Sequence, residues 1–331
     1  MPLIVIFFHA KTMQRFFSLT LLTACIVMLQ AILLPLVNHY TLRAEKKKII
    51  LQHADTIEGG QSNTGSYRMV TGNVVFLDGT ITLRCNRATD YEQENKIVLD
   101  GNVFMTDNSV EIYGEHGVYF PDREIGELSG KVRGRMVDNS IVGKARRAVV
   151  NKATSQISLY DDVLVWHKHQ QISGETISLH FREPETGGKH KSVDEIQVKN
   201  NAFFAVRDTL SLSPVVYDQF SGKNMVILLD NKSKITGITL IRQAESLYHL
   251  YNENKKPSGI NYSSGDMIHM FFTNGLLNRV TVTGNVEGKQ YPESFRGNKK
   301  INLSSFAWRE KENPFIQQKS LPGKGKAFQK P

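Results

Sequence analysis

Cysteine is nearly absent from the chain: there are two in 331 residues, Cys25 and Cys85. Cys25 sits inside an apolar run near the N-terminus, which leaves Cys85 alone in the body. Neither a disulfide framework nor a cysteine metal cluster can be built from one thiol. Cys85 falls on the apolar face of an alternating segment, the setting of an inert core thiol. The motifs of catalysis are missing as well: there is no phosphate-cradling glycine loop, no Gly-x-Ser-x-Gly elbow and no His-Glu-x-x-His pair. His167 and His169, in Trp-His-Lys-His, share one face of a strand pattern but have no third ligand nearby, so a solvated strand face is the reading. Asp161 and Asp162 could be paired carboxylates, yet they stand at a turn position of the repeat described below. Trp166 could stack on a sugar, and packing is the simpler use. We expect no enzyme activity, no cofactor and no metal.

A nucleic-acid-binding surface is missing too, despite a formal net charge of +9. The excess lies at the two ends. Residues 1–48 carry six Lys/Arg against one Glu, and residues 291–331 carry nine against three. The body between them is close to neutral, whereas a nucleic-acid-binding domain shows its basic patch on the folded part. Basic ends suit an anionic membrane surface or simply solubilise the chain.

Charge is absent from Phe16 to Val37, FFSLTLLTACIVMLQAILLPLV, which follows Lys11 and Arg15. Such a run is an export signal or a single membrane anchor, with Met1 or Met13 as the start. Leu22-Thr23-Ala24-Cys25 resembles a lipoprotein cleavage box, but the residues after it stay apolar. No Ala-x-Ala site stands near Ala44. Arg43, Lys46, Lys47 and Lys48 outnumber the charges before the run, which for an uncleaved anchor opposes export. Residues 1–45 are expected to be the signal or anchor.

Helical periodicity is absent from 49–290. In its place stands a repeat. Gly72-Asn73-Val74 and Gly101-Asn102-Val103 are followed at equal spacing by Gly130-Lys131-Val132, then by Asp161-Asp162-Val163, and Gly284-Asn285-Val286 closes the series. Between them recurs a second element, such as Ile112-Tyr113-Gly114-Glu115-His116-Gly117-Val118-Tyr119 and Ile172-Ser173-Gly174-Glu175-Thr176. Ile81, Leu83 and Cys85 alternate with Thr82, Arg84 and Asn86, which means strands with one wet and one apolar face. Turn signals separate them at Asp78-Gly79, Asp107-Asn108, Pro121-Asp122 and Asn274-Gly275. The fold is therefore all-β, antiparallel, and built from strand pairs. Gly72, Asn73, Gly101, Asn102, Gly284 and Asn285 are structural, because Gly and Asn tolerate the positive φ of a bend. In the looser second half, Val193–Phe204 and Leu210–Leu229 each read as a strand pair, and Pro184 to Gly188 reads as a hinge. Two tandem modules follow, 46–183 and 189–290, with 291–331 as a basic, disordered tail.

The paired elements and the closing segment Gly265 to Pro292 resemble the OstA-like family of lipopolysaccharide-transport proteins, over roughly residues 50–295. The resemblance implies an open, twisted, V-shaped β-jellyroll in the periplasm. It also implies a job, carrying or bridging lipopolysaccharide or a similar amphipathic glycolipid toward the outer membrane, with other jellyroll subunits stacking on free strand edges. The inward residues read from the alternation are Val74, Phe76, Ile81, Leu83, Val103, Met105, Val110, Ile112, Val118, Ile157, Leu159, Val163 and Val165. Each is either plain core or lipid contact. The rivals are a carbohydrate-binding or adhesive β-solenoid, which would repeat carboxylates where this chain repeats Gly, Asn, Ala and Tyr, and a scaffold that binds only protein.

Overall fold

Residues that alternate in polarity over ten or more positions extend, pair with their sequence neighbours and bury one face. The computed structural model describes residues 49–63, 65–183, 191–210, 213–273 and 276–316. The expected signal or anchor at 1–45, the expected hinge at Pro184–Gly188 and the turn signal Asn274-Gly275 lie outside them.

The described chain is all-β. Its strands are β1 (Ile50–His53), β2 (Thr56–Ser62), β3 (Gly65–Asp78), β4 (Ile81–Tyr91), β5 (Lys96–Thr106), β6 (Val110–Phe120), β7 (Ile125–Met136) and β8 (Ile141–Asn151). They continue as β9 (Gln156–His167), β10 (Gln170–Arg182), β11 (Ser192–Arg207), β12 (Tyr217–Leu229), β13 (Ile235–Tyr251), β14 (Pro257–Thr273), β15 (Leu276–Thr283) and β16 (Glu287–Tyr291). All join one antiparallel sheet in which β3 to β15 follow sequence order. The expected modules share this sheet: β10 pairs with β11 from Gln170↔Val206 to Arg182↔Ser192.

Each long strand is bent once. The pairing register breaks near mid-strand, as between Thr71 and Val74, Asp100 and Val103, and Ser129 and Val132. At alternate strands the break is two consecutive residues at positive φ: Gly72-Asn73, Gly101-Asn102, Gly130-Lys131, Asp161-Asp162, Asn200-Asn201, Arg242-Gln243 and Gly284-Asn285. Two left-handed residues in a row turn the strand through a corner. Here glycine earns its place, since at φ near +76 a Cβ on Gly101 would also stand 2.7 Å from the Asn86 side chain. The corners divide the sheet into two arms. We term upper the arm holding β2, Lys96–Asp100 and His116–Phe120, and lower the arm holding β1, Val103–Thr106 and Val110–Gly114. The arms face each other: a Cβ on Gly126 (upper) would meet Met105 Sδ (lower) at 2.7 Å. The result is an open, twisted β-jellyroll with a V-shaped section.

Two elements differ from expectation. Val193–Phe204 and Leu210–Leu229 each contribute one long strand, β11 and β12, instead of two. Asn200-Asn201 bends a strand that continues past it, where a turn would have ended one. The tail is also ordered as far as residue 316. Residues 292–316 form a strap with short 3-10 turns at Glu293–Phe295, Lys299–Ile301 and Glu310–Glu312, and Leu303 and Phe315 are buried. Apolar anchors on the strap outweigh its basic composition. Residues 317–331 lie outside the described residues.

Candidate lipid seam and its surroundings

The inner faces of both arms form one apolar cluster that runs from Val70 to Met270. Val74, Phe76, Ile81, Leu83, Val103, Met105, Ile112, Ile157, Leu159, Val163 and Val165 are all buried within it, and Val110 packs against it half-buried. Val118 does not belong with them. The single-residue irregularity between Tyr113 and His116 reverses the alternation, so Gly117 and Tyr119 face inward and Val118 lies on the other face. Tyr119, fully buried, was the residue to name.

Most of this interior is closed. Side chains fill it, as interiors generally fill. Two small voids remain between the arms, each of about 40 Å³, room for a few water molecules. They adjoin through Val110, Ile112, Ile157 and Phe181. The deeper one is lined by apolar residues such as Val132, Met136, Leu159 and Val193. The outer one has an apolar base of Ile81, Met105 and Val150 and a polar mouth of Asp107, Asn151, Lys152, Ser155 and Lys191. This is an amphipathic seam, greasy inside and charged where it reaches water.

The mouth is tied shut across the arms. Tyr119 (upper) donates its hydroxyl to Asp78 Oδ2 (lower) at 2.6 Å, with both residues buried. Burial first, and then the Asp78 bond, push the Tyr119 pKa well up, so it remains a donor. Lys191 Nζ reaches Asp107 of the lower arm at 3.3 Å and Glu183 at 3.1 Å. Burial opposes the Lys191 charge, but these carboxylates raise its pKa overall. Within the upper arm, Lys152 pairs with Glu124 at 3.2 Å.

The other polar residues singled out from sequence take structural places. Strand β9 ends at His167, and Lys168 has positive φ, so His169 falls in the turn and the two imidazoles do not share a strand face. His167 is buried against Gln170, and burial lowers its pKa. Among the described residues no group of three His, Cys, Asp or Glu gathers. Trp166 packs under Phe315 of the strap with Val142 and Leu164. Burial raises the Cys85 pKa to about 11, which keeps the thiol protonated.

The strap was not legible as a partner of the sheet. It crosses the outer face of the lower arm, covering Phe203, Leu247 and Ile260 with Leu303, Phe306 and Trp308. Two buried glutamines clamp it. Gln171 donates to Ala307 O at 2.7 Å and accepts from Arg309 N at 2.6 Å. Gln219 donates to Asn302 Oδ1 at 2.8 Å and accepts from Leu303 N at 2.9 Å. Near its end, Arg309 and Lys144 together hold Asp162 and Glu312 at 2.6–3.2 Å.

That ion cluster makes the end of the strap acid-sensitive. Hydrogen bonds from Arg309, then Lys144, lower the Glu312 pKa from 4.5 to about 2. Burial would raise the Asp162 pKa, but bonds from the same two cations bring it down. A carboxylate with a depressed folded pKa stabilises above its unfolded value, and that contribution fades as pH falls through the folded value. The strap should therefore loosen between pH 4.5 and about 2. Both tryptophans of the chain, Trp166 and Trp308, lie at the strap. We expect a red shift of tryptophan emission over this interval while the far-ultraviolet strand signal persists. Emission that moves only together with the strand signal would refute a separate strap transition. The side chains are partly exposed, so added salt should weaken the effect.

Residues 46–153 match the family model described as OstA-like protein. This segment is OstA-like. It runs from before β1 through β8, and it supplies the lower-arm base of the seam, while Ile157, Phe181 and Lys191 come from the chain beyond the OstA-like match. No curated protein matches the chain. Among solved structures, one that it is similar to is LptH of Pseudomonas aeruginosa, described as the LptA homologous periplasmic component of the conserved lipopolysaccharide transport device. The identity is 13% and the TM-score 0.33, over 46% of this chain and 95% of that chain. Among the described residues no helix is long and apolar enough to cross a membrane.

Proposed function

We propose that this protein binds lipopolysaccharide or a similar amphipathic glycolipid in the periplasm and carries or bridges it toward the outer membrane, without catalysing a reaction. The observation that carries this reading is the seam: an apolar interior between two arms, reached through a mouth that holds Lys152 and Lys191. Acyl chains enter as the arms part, and anionic groups of the headgroup stay at the lysines. Each methylene removed from water contributes ~0.8 kcal/mol, so ten contribute roughly 8 kcal/mol before the cost of opening. The OstA-like match over β1 to β8 supports the same reading.

Partners fit the sheet ends. One end presents β1 and β2 and the other β15 and β16, so each arm has a strand free to pair at either end. Exposed Ile57 and Leu277 lie on these strands. Another jellyroll subunit can add its own edge there, and head-to-tail addition gives an open chain of modules.

The test is photo-crosslinking in living double-membraned cells. A photoreactive residue at Met105, Val110, Ile157 or Phe181 should yield lipopolysaccharide adducts, and one at outward Arg84 or Ser158 should not. The closed interior favours a second reading, a scaffold that binds only protein. Absence of adducts from folded, exported protein would establish that reading and refute the lipid one.

A further inference from the structure

A second concavity lies on the outside of the molecule, where the corners of β8 to β15 meet the strap. It is a trench in two connected parts of about 1050 and 550 Å³, which share Glu175, Asn201 and Ser305. It is open and polar, whereas the seam is closed and apolar. The geometry points to an oligosaccharide site.

The first argument is backbone strain. Of the seven corners with two consecutive left-handed residues, four contain glycine and three do not: Asp161-Asp162, Asn200-Asn201 and Arg242-Gln243. All six of these residues line the trench. Arg242 and Gln243 stand at φ of +61 and +52, where such side chains are disfavoured and glycine is free. Among these corners, those with no glycine at either residue all lie along this trench, and strain of this kind gathers at functional sites.

The second argument is how the acceptors are held. Glu175 receives the amide groups of Asn200 at 3.0 Å and Asn201 at 2.9 Å. Glu245 receives the hydroxyls of Tyr262 at 2.9 Å and Ser221 at 3.3 Å. Asp266 receives Asn285 at 3.1 Å. Each carboxylate is oriented and keeps spare lone pairs, which is what a row of sugar hydroxyls needs. Lys223 and Arg242 lie beside them without an ion-pair partner among the described residues and can donate.

A peptide fits less well. The strands run across the trench, so its floor offers no free ladder edge for an extended chain, and large apolar anchors are few. The inference does not depend on the lipid reading, because a saccharide without acyl chains has nothing to place in the seam.

The test uses the full chain and two probes without acyl chains, deacylated lipopolysaccharide oligosaccharide and a neutral glucan hexasaccharide, titrated by calorimetry. Wild type should bind one or both at about 1 mM or tighter. Ser305→Trp, on an exposed strap position common to both parts, should weaken binding about tenfold or more. The double variant Arg242→Gly/Gln243→Asn restores the corner sequence used elsewhere. It should lose binding to a similar extent while melting no lower than wild type, a pairing of effects that mere damage to the fold cannot produce. No oligosaccharide binding by wild type, binding unchanged in both variants, or binding of an extended polar peptide in place of sugar would each overturn the site.

Discussion

Replacing Tyr119 by Phe is expected to destabilise the protein and yet tighten its hold on lipid. The substitution keeps the ring and deletes one hydroxyl, the donor that reaches from the upper arm to Asp78 of the lower arm at 2.6 Å. Losing a hydrogen bond to a buried carboxylate costs about 1–3 kcal/mol. The melting temperature should fall by roughly 2–4 °C for each kcal/mol lost. The cost falls on the closed V alone, since parted arms have already broken the bond. A ligand that binds only the open form has an apparent affinity scaled by the fraction of molecules that are open. Y119F should raise that fraction, and lipid should bind about tenfold or more tighter. Ile260→Val, on the outer face of the lower arm, is the control. It should cost about 1 kcal/mol through lost burial, with no gain in affinity. The measurement is paired thermal melts and titrations with a fluorescent lipopolysaccharide. Affinity that falls with stability in Y119F would mean that the arms do not gate the seam, and that the inner residues are core only.

Releasing the strap should have the second large effect. Gln171 and Gln219 are each 1% exposed, and each both donates to and accepts from the strap. Replacing both by Leu removes four hydrogen bonds and leaves strap backbone groups near an apolar face without partners. The estimate is about 1–3 kcal/mol for each group left unsatisfied. Removal of residues 299–331 goes further. It takes away Leu303, Phe306, Trp308 and Phe315, worth about 1.5–3 kcal/mol each if fully buried. The truncated protein should lose up to roughly 6–12 kcal/mol, which rivals the stability of a whole domain. It should also expose Phe203, Leu247, Ile260 and Leu164 as one apolar face. Such a face drives self-association. Light scattering and binding of an apolar dye, compared with wild type, report it. A monomeric truncation with an unchanged urea midpoint would show that the strap is an ornament.

The sequence made the strand architecture legible because period-2 alternation and left-handed corners are local signals. Gly72-Asn73 and Gly101-Asn102 stand out for the same reason that they bend the chain. Asn200-Asn201 and Arg242-Gln243 do the same work without glycine, so β11 was divided in two and the corner in β13 went unseen. Val118 was assigned inward because the corner at Gly114-Glu115 reverses the inward face for the rest of β6, and a count by twos does not register it. The strap escaped for a different reason. Its anchors Leu303, Phe306, Trp308 and Phe315 are irregularly spaced in a basic segment, and their partners on the sheet are far away in sequence, with Gln171 and Ala307 136 positions apart. The signal available was a mismatch, glutamines at positions 171 and 219 that the fold buries completely. The alternation placed much of the seam's apolar lining on the inner face, but its polar mouth could not be read from sequence. Its mouth depends on which hairpin ends of the two arms come together, and that is a property of the corners taken as a set.

Because β3 to β15 follow one another in the sheet in chain order, every strand pairing among them joins immediate neighbours. The molecule is in this sense a linear stack, able to grow or shrink by whole hairpins without altering the pairing of those that remain. That freedom is not uniform along the chain. From β3 to β7 a hairpin of about one repeat could be duplicated and the joints on either side would be preserved. From β8 to β14 the strap acts as a ruler. It is pinned at Gln219, at Gln171 and at Lys144 on the alternate strands β12, β10 and β8, and one additional hairpin between those pins would leave it too short to reach. Length is thus adjustable in the first half of the protein and measured in the second.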